Sequence, residues 1–228
     1  MRTILILFLS CLVFPLLGQQ YNGDCNSDKD YAAFLQIGLQ GFEYGNPVEN
    51  YEGNQYFNKW TRGEVILING DAITDIYLRY EKYLDALLWL RESDYKQGII
   101  QKQGITGFSL FNAAGEITAT FVKKRYKQPY EADSTDAFFH ILVSGELTFY
   151  AYRRVIESPN DYLLIEDTRY LLGNKEGTIP LVLKRKALLE HPLVDKTKMK
   201  GVLRSGGIMV SNGELEMIRA IMMYNSNQ

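Results

Sequence analysis

The sequence predicts an α+β protein: an antiparallel β-meander sheet with a short C-terminal helical subdomain packed on it. Short runs of alternating apolar and polar residues recur through the middle of the chain, and local turns rather than helices join them. One of these turns carries the pair Asn69-Gly70, which is a strong hairpin signal. Beyond Pro180, apolar residues recur instead at helical spacing.

The chain begins with the pattern of a secretory signal peptide. Arg2 precedes an apolar run from Ile4 to Leu17, and the small residue Gly18 follows it. The run is interrupted by Pro15 and is shorter than the roughly 20 residues of a membrane-spanning helix. We therefore expect residues 1–18 to be removed on export to the periplasm, the outer membrane or the medium. A lipoprotein cleaved before Cys11 is the alternative.

Residues 19–58 are polar and rich in Gly, Asn and Tyr, and we expect an irregular lead-in that drapes over the fold. Within it Asp24, Asn26, Asp28 and Asp30 alternate as in a calcium-binding loop. The loop pattern fails at two positions, because Lys29 replaces the required glycine and Leu35 replaces the bidentate glutamate. A solvated acidic segment without metal is therefore the better interpretation.

The predicted sheet body covers residues 59–179, and its first hairpin decides how the stretch from Asp75 to Leu90 is interpreted. Apolar spacing alone would allow a helix here, but the Asn69-Gly70 turn commits the following residues to a strand through Ile73–Tyr80. Tyr77 and Arg79 then face away from the core. A second strand, from Leu84, is expected to place Leu84, Ala86, Leu88 and Leu90 inward and Asp85, Leu87, Trp89 and Arg91 outward.

Further alternating runs complete the predicted meander. They cover Gly98–Lys102, Thr106–Phe111, Ile117–Tyr126, Ala137–Val143 and Glu146–Ile156, with one or two more strands between Asp161 and Leu172.

Residues 180–228 are predicted to be helical. LKRKALLEH indicates a short helix that ends before Pro192, and a second helix ends at Gly206-Gly207. In the final segment Ser211 and Glu214 have capping-box spacing. Leu215, Ile218, Ile221 and Met222 are expected along one face of that helix.

Composition and motifs give no sign of catalysis, of a metal site or of a cofactor. The formal net charge of −2 gives no general attraction to nucleic acid. The two histidines, His140 and His191, have no neighbouring nucleophile motif and cannot form a multi-histidine zinc site. Cys25 is left alone once Cys11 departs with the signal peptide, which excludes an internal disulfide. An undetected hydrolase assembled from distant residues remains an alternative.

Two surface features suggest binding. The predicted strand phases place Tyr77, Arg79, Trp89 and Arg91 together on the outward face, where Tyr150 or Tyr152 would extend a patch suited to a sugar or a protein partner. The alternative is that the helical tail covers this patch. Between Lys184 and Arg204, seven basic residues face only Glu190 and Asp195, which could attract lipid headgroups or be the solvated side of packed helices.

The chain also resembles a family of uncharacterised exported proteins of Bacteroidetes-type Gram-negative bacteria. The resemblance rests on GNQYFNKWTRGEVILINGD, LRYEKYLDALLWL, LTFYAYRR, LKRKALLEHP and the closing MMYN, and it spans the chain from about Asn54 onward. It implies a signal peptide, a β-rich body and a helical C-terminus. It implies no activity and no functional residues, and the long Tyr- and Gly-rich lead-in departs from its pattern.

These observations favour an exported, non-catalytic envelope protein with a binding or assembly role and an unknown protein or glycan partner. The alternative is a carrier whose curved sheet encloses a lipid or another apolar ligand, and this would need a concave face left empty by the helices. A hydrolase with an atypical site is the third hypothesis.

Overall fold

A computed structural model describes residues 41–127, 134–175, 177–211 and 213–226, and it confirms the predicted fold class. The strands of the main sheet pair antiparallel, and helices at the C-terminal end of the chain pack on it. The predicted signal peptide, the calcium-like spacing and Cys25 lie outside the described residues.

The described residues form thirteen strands, one 3₁₀ turn and three helices. The strands are β1 (Gly41–Glu43), β2 (Thr61–Leu67), β3 (Ala72–Glu81), β4 (Ala86–Leu90), β5 (Gln97–Ile100), β6 (Ile105–Phe111), β7 (Ile117–Lys127), β8 (Ser134–Val143), β9 (Thr148–Tyr152), β10 (Val155–Glu157), β11 (Leu164–Glu166), β12 (Arg169–Gly173) and β13 (Thr178–Leu181). The 3₁₀ turn is Lys102–Gly104, and the helices are α1 (Arg185–Leu189), α2 (Lys196–Ser205) and α3 (Glu214–Ser226).

Eleven strands form one sheet in the order β1-β5-β4-β3-β2-β6-β7-β8-β9-β12-β13, and β10 and β11 form a separate hairpin. The chain runs outward from β2 to β5, returns to place β6 on the free side of β2, and then continues outward in the other direction. Most neighbouring strands are therefore joined by local hairpins, as the meander prediction requires, whereas β1 pairs with β5 and β9 with β12 across longer stretches of chain.

The Asn69-Gly70 hairpin is present, but its turn differs from the expected type I′. Gly70 has a φ of 91°, whereas Asn69 does not have the positive φ that type I′ requires of both central residues. A bulge follows at Asp75, whose φ is 62°, and the pairing with β2 shifts there. The bulge lets both Ile73 and Ile76 pack toward the core, although simple alternation places them on opposite faces.

The first eight strands curl strongly around an aromatic core. Tyr80 on β3 and Phe121 on β7 are three strand spacings apart, about 14 Å in a flat sheet. Their ring centroids are only 4.8 Å apart. Phe138 on β8 is one strand farther, yet its ring lies 6.3 Å from that of Tyr80. The concave face is therefore closed on itself, and its aromatic side chains fill the interior.

Asp85, in the turn between β3 and β4, fastens this curl. Its carboxylate accepts a hydrogen bond from the Tyr80 hydroxyl at 2.7 Å and from the backbone N–H of Phe138 at 3.3 Å. It also forms an ion pair with Lys102 at 2.7 Å. Burial raises the pKa of Asp85, while Lys102 and these hydrogen bonds act in the opposite direction. One buried side chain thus joins the β3–β4 hairpin to β8.

The second half of the sheet fills the same face with helices. Phe149 on β9 is paired with Leu172 on β12, and both contact the helical core. The buried residues of α3 are Met217, Ala220, Ile221 and Tyr224. Of the expected helix face, Ile221 is buried and Ile218 half-buried, but Leu215 and Met222 are exposed. This part of the α3 prediction is wrong. Apolar residues occur on more than one side of the helix, so their spacing did not determine which side faces the sheet.

The predicted phase of β4 is also wrong. Trp89 pairs with Leu78 and Leu87 pairs with Tyr80, so both point into the aromatic core. Leu88, expected inward, lies opposite Arg79 on the other face. Ala86, Leu87, Leu88 and Trp89 are all buried, so β4 is apolar on both sides and its sequence carries no phase signal.

Candidate functional site

A cleft of about 300 Å³ lies on the outer face of the sheet at the edge formed by β1, β5, β4 and β3. We call it the Arg79 cleft, and it is lined by Glu43, Tyr44, Asn46, Tyr56, Arg79, Tyr95 and Gln97. Three of these side chains are aromatic and the other four are polar or charged. This is the composition of a site that combines ring stacking with hydrogen bonds.

Arg79 holds the centre of the cleft between two aromatic rings. Its guanidinium carbon lies 3.7 Å from the ring centroid of Tyr56 and 4.3 Å from that of Trp60. It donates one hydrogen bond to Gln97 Oε1, at 3.0 Å. Its Nε is buried without a hydrogen-bond partner, and burial lowers the pKa of the group. Packing between the two rings fixes the plane of the guanidinium, and therefore the direction in which its N–H groups can donate hydrogen bonds.

A buried glutamine builds the polar side of the cleft. Gln55 Nε2 donates to Tyr44 Oη at 3.0 Å and to Asn46 Oδ1 at 2.9 Å. The hydroxyls of Tyr44 and Tyr56 are 3.3 Å apart. Burial, followed by the contact with Tyr56, raises the pKa of Tyr44, which keeps it a neutral hydroxyl. The hydrogen-bonding groups of the cleft are therefore held in place before any ligand arrives.

Tyr95 stands at the rim in an unusual backbone conformation. It lies in the turn between β4 and β5 with a φ of 58°, and its side chain is 77% exposed. Its N–H donates to the carbonyl of Arg91 at 2.8 Å, which closes the turn. A bulky residue at positive φ is uncommon and strained. The turn thus holds a large ring in solvent beside the cleft.

The four residues expected to form a surface patch do not come together. Arg79 faces outward as predicted and lies in the cleft. Tyr77 shares that face, but its ring is covered by the Arg62 guanidinium at 4.3 Å. Trp89 points into the core, and Arg91 is half-buried and bonded to Asp94 at 2.7 Å. Tyr150 and Tyr152 lie on β9, five strands from β3, in a separate buried cluster.

Most of the cleft was missed from sequence. Tyr44, Tyr56 and Trp60 belong to the segment before β2, where no alternating pattern assigns a face to any side chain. The one signal that could have indicated this site is composition, because the segment is rich in aromatic residues although it forms little regular structure. Tyr95 gave no signal, because positive φ at a tyrosine follows from the turn geometry and not from the residue type.

A second cluster of titratable groups joins the two halves of the sheet. Arg153 forms an ion pair with Glu214 at 2.7 Å, and one of its N–H groups lies 3.5 Å from His140 Nδ1. His140 is stacked on Phe121 and contacts Phe57 edge-on. Burial and the charge of Arg153 lower the pKa of His140 to about 4. Burial would raise the pKa of Glu214, but the hydrogen bond and charge of Arg153 outweigh it and lower that pKa.

This arrangement suits a structural junction better than a hydrolase. Within the described residues, the side-chain hydrogen-bond and ring partners of His140 are Arg153, Phe57 and Phe121, none of which is a nucleophile. Its depressed pKa makes it a weak base near neutral pH. Arg153 and Glu214 neutralise each other at the N-terminal end of α3. The hydrolase hypothesis therefore receives no support from these groups.

The carrier hypothesis is not supported by the inner face of the curl either. Tyr80, Phe108, Phe121 and Phe138 occupy it and are almost completely buried against one another. Phe108 and Phe121 are stacked with their centroids 4.6 Å apart. The space in which a carrier would hold an apolar ligand is filled by side chains.

A second cleft, of about 420 Å³, lies on the outer face beside β7 and β12. It is lined by Lys124, Arg125, Tyr126, Leu171, Thr178 and Pro180. None of these side chains has a buried polar atom without a partner. The Arg79 cleft, with its unpartnered Nε and its projecting Tyr95, is the better candidate for a binding site.

Within the described ranges, no group of three or more His, Cys, Asp or Glu side chains is placed to hold a metal ion. The helices of the same residues are too short or too polar to cross a membrane. No protein-family model, curated protein or solved structure matches this chain. The resemblance to exported Bacteroidetes-type proteins stays a prediction.

Proposed function

We propose that this protein is an exported, non-catalytic binding protein of the cell envelope that recognises a glycan in the Arg79 cleft. The observation that carries the proposal is the Arg79 guanidinium, fixed between Tyr56 and Trp60 and facing a cleft with no carboxylate bonded to it within the described residues. Export is supported by the N-terminal pattern of residues 1–18.

The chemistry of the cleft favours a sugar over a strongly charged ligand. One cation, Arg79, and one carboxylate, Glu43, line it together with amide and phenol groups. Hydroxyl-rich ligands can both donate to and accept from such groups, whereas a multiply charged anion would face Glu43 and the buried Glu81 nearby. The exposed Tyr95 ring offers an apolar face on which a pyranose ring can stack.

Calorimetric titration of the mature chain with neutral and acidic di- to tetrasaccharides tests the proposal. Tyr95→Asn removes the ring and keeps a residue that tolerates positive φ. We expect it to weaken binding about tenfold. Tyr162→Asn is the matched control, because Tyr162 is similarly exposed but lies outside the cleft, and it should leave affinity unchanged.

Arg79→Lys sharpens the test, since it keeps the charge but loses the planar group between the two rings. We expect a further loss of affinity with an unchanged far-ultraviolet circular dichroism spectrum. Equal affinity of wild type, Tyr95→Asn and Arg79→Lys for every sugar that binds would remove the cleft as the site. N-terminal sequencing of protein from the producing cells tests export, with Gln19 expected as the first residue.

A further inference from the structure

The helical end of the chain differs in charge from the rest. From residue 182 to residue 226 there are eight basic and four acidic residues, although the whole chain carries a net charge of −2. The remainder of the protein is therefore clearly acidic. A charge asymmetry of this kind indicates a partner surface of opposite sign for the basic part.

Most of the basic side chains of this region are exposed and form no ion pair within the described residues. Seven of the eight are exposed and form no ion pair within the described residues: Lys184, Arg185, Lys186, Lys196, Lys200, Arg204 and Arg219. Of the carboxylates, Glu214 is paired with Arg153. Asp195 caps α2 by accepting from the N–H groups of Thr197 and Lys198 at 2.8 and 2.9 Å. Lys198 is likewise paired with Glu146 outside the region, so these two ion pairs cancel and the net charge of the region stays that of its eight basic and four acidic residues.

Large apolar side chains project into solvent from the same region. Met209 is 80% exposed between the buried residues Ile208 and Val210. On α3, Leu215 and Met222 are 73% and 53% exposed and lie two turns apart on one stripe, with the exposed Arg219 between them. Val182 is 60% exposed where the chain leaves β13. The other side of α3 packs on the sheet, so the exposed Leu215 and Met222 take no part in the helical core.

We infer that the exposed residues of α2, α3 and the segment between them, which we call the basic cap, dock on an anionic phospholipid bilayer. The basic cap comprises Lys196, Lys200, Arg204, Met209, Leu215, Arg219 and Met222. Scattered Met and Leu side chains separated by Lys and Arg can each enter the headgroup region, while the cations reach phosphate groups. A stable protein interface buries roughly 800 Å² on each partner and its centre is depleted of charged residues, whereas here charged residues separate the apolar side chains. This inference does not depend on the Arg79 cleft.

Sedimentation of the mature chain with lipid vesicles tests the inference. Vesicles of pure phosphatidylcholine are compared with vesicles containing about one-third phosphatidylglycerol, at low and at physiological salt. We expect binding to the anionic vesicles alone, weaker at the higher salt because exposed charges are screened. Absence of binding to anionic vesicles at low salt would overturn the inference.

Two variants, each lacking three positive charges, test whether the basic cap is the surface that binds the membrane. Lys196→Gln, Lys200→Gln and Arg204→Gln together should weaken binding about fivefold for each charge, or about a hundredfold in all. The matched control neutralises Lys59, Arg125 and Lys175, which are exposed and lie on the sheet body. It should bind as wild type does, and an equal loss in both variants would show unspecific attraction and contradict the proposal.

A third variant tests insertion of the apolar side chains. Leu215→Ser with Met222→Gln leaves the charge unchanged and should weaken vesicle binding about tenfold. Unchanged binding would contradict the insertion step. Competition by polyglutamate as strong as that by anionic vesicles would assign the basic cap to an acidic protein and overturn the membrane inference.

Discussion

The two halves of the sheet bury the same face by different means. From β2 to β8 the sheet curls until side chains four strands apart touch, as Tyr80 and Phe138 do. From β8 to β13 that face is covered by helices, which contribute Leu188, Met199, Val202 and Ile221 to the core around Phe149. In this protein the sheet closes on itself where rings at successive inward positions meet across several strands.

Residue size explains this difference. The curled half places aromatic rings at successive inward positions, and these rings span the interior. The inward positions of the second half combine two stacked rings with smaller side chains, which leaves a shallower layer. The rings are Phe149 and Tyr170, and the smaller residues are Ala151, Leu172 and Leu181. Helices supply the missing volume. The junction is His140, which touches Phe57 and Phe121 on one side and Arg153 on the other.

The largest expected effect comes from removing a ring at the centre of the curl. Phe121 is 1% exposed and contacts the rings of Tyr80, Phe108, Phe57 and His140. Phe121→Ala should lower the free energy of unfolding by about 4 kcal/mol. Urea unfolding followed by near-ultraviolet circular dichroism measures it. A loss below about 1 kcal/mol would mean that the curl is not held by its aromatic core.

Met217→Ala is the matched change in the helical half, because Met217 is fully buried in α3. We expect a loss of about 3 kcal/mol in the same single transition. The contacts of His140, Arg153 and Glu214 join the two halves and make them unfold together. A separate earlier transition in Met217→Ala would show that the helical half unfolds independently.

The junction should make stability depend on pH. The pKa of His140 is about 4 in the folded protein and 6.5 in an unfolded chain, so between these values only the unfolded state binds the proton. The free energy of unfolding should therefore fall by about 3 kcal/mol as the pH is lowered from 6.5 to 4, and this contribution should level off below pH 4.

His140→Gln isolates that contribution. Burial opposes the lowering of the Glu214 pKa, but Arg153 outweighs it, so Glu214 stabilises the folded state and this contribution is lost at the acid end in both proteins. The difference between wild type and variant should therefore appear between pH 6.5 and 4. Equilibrium unfolding in urea at half-unit pH steps measures it, and parallel curves for the two proteins would contradict the buried neutral state of His140.

The smallest expected effect concerns the start of α2. Asp195 Oδ1 accepts hydrogen bonds from the N–H groups of Thr197 and Lys198. Asp195→Ala should lower the free energy of unfolding by about 1 kcal/mol, whereas Asp195→Asn, which keeps an acceptor oxygen, should lower it less. Thermal unfolding measures both. Equal losses in the two variants would show that the charge, and not the hydrogen bonds, stabilises this end of the helix.

The sequence by itself determined the architecture. Alternating runs, the Asn69-Gly70 turn and the helical spacing after Pro180 predicted most of the strands and helices nearly where the structure has them, because these signals are local. The predicted run Glu146–Ile156 is an exception, since it is divided between β9 and β10, which lie in different sheets. It also placed Arg79 outward, because Arg79 alternates with the apolar Leu78 and Tyr80 beyond the bulge at Asp75.

Only the tertiary structure decided which face β4 buries, how far the sheet curls and where the Arg79 cleft lies. A strand that is apolar on both faces carries no phase information, so Trp89 could be assigned only once Leu78 was seen opposite it. The cleft depends on bringing Tyr44 and Tyr56 from an irregular segment against β3. Such contacts between distant parts of the chain leave no periodic trace in the sequence.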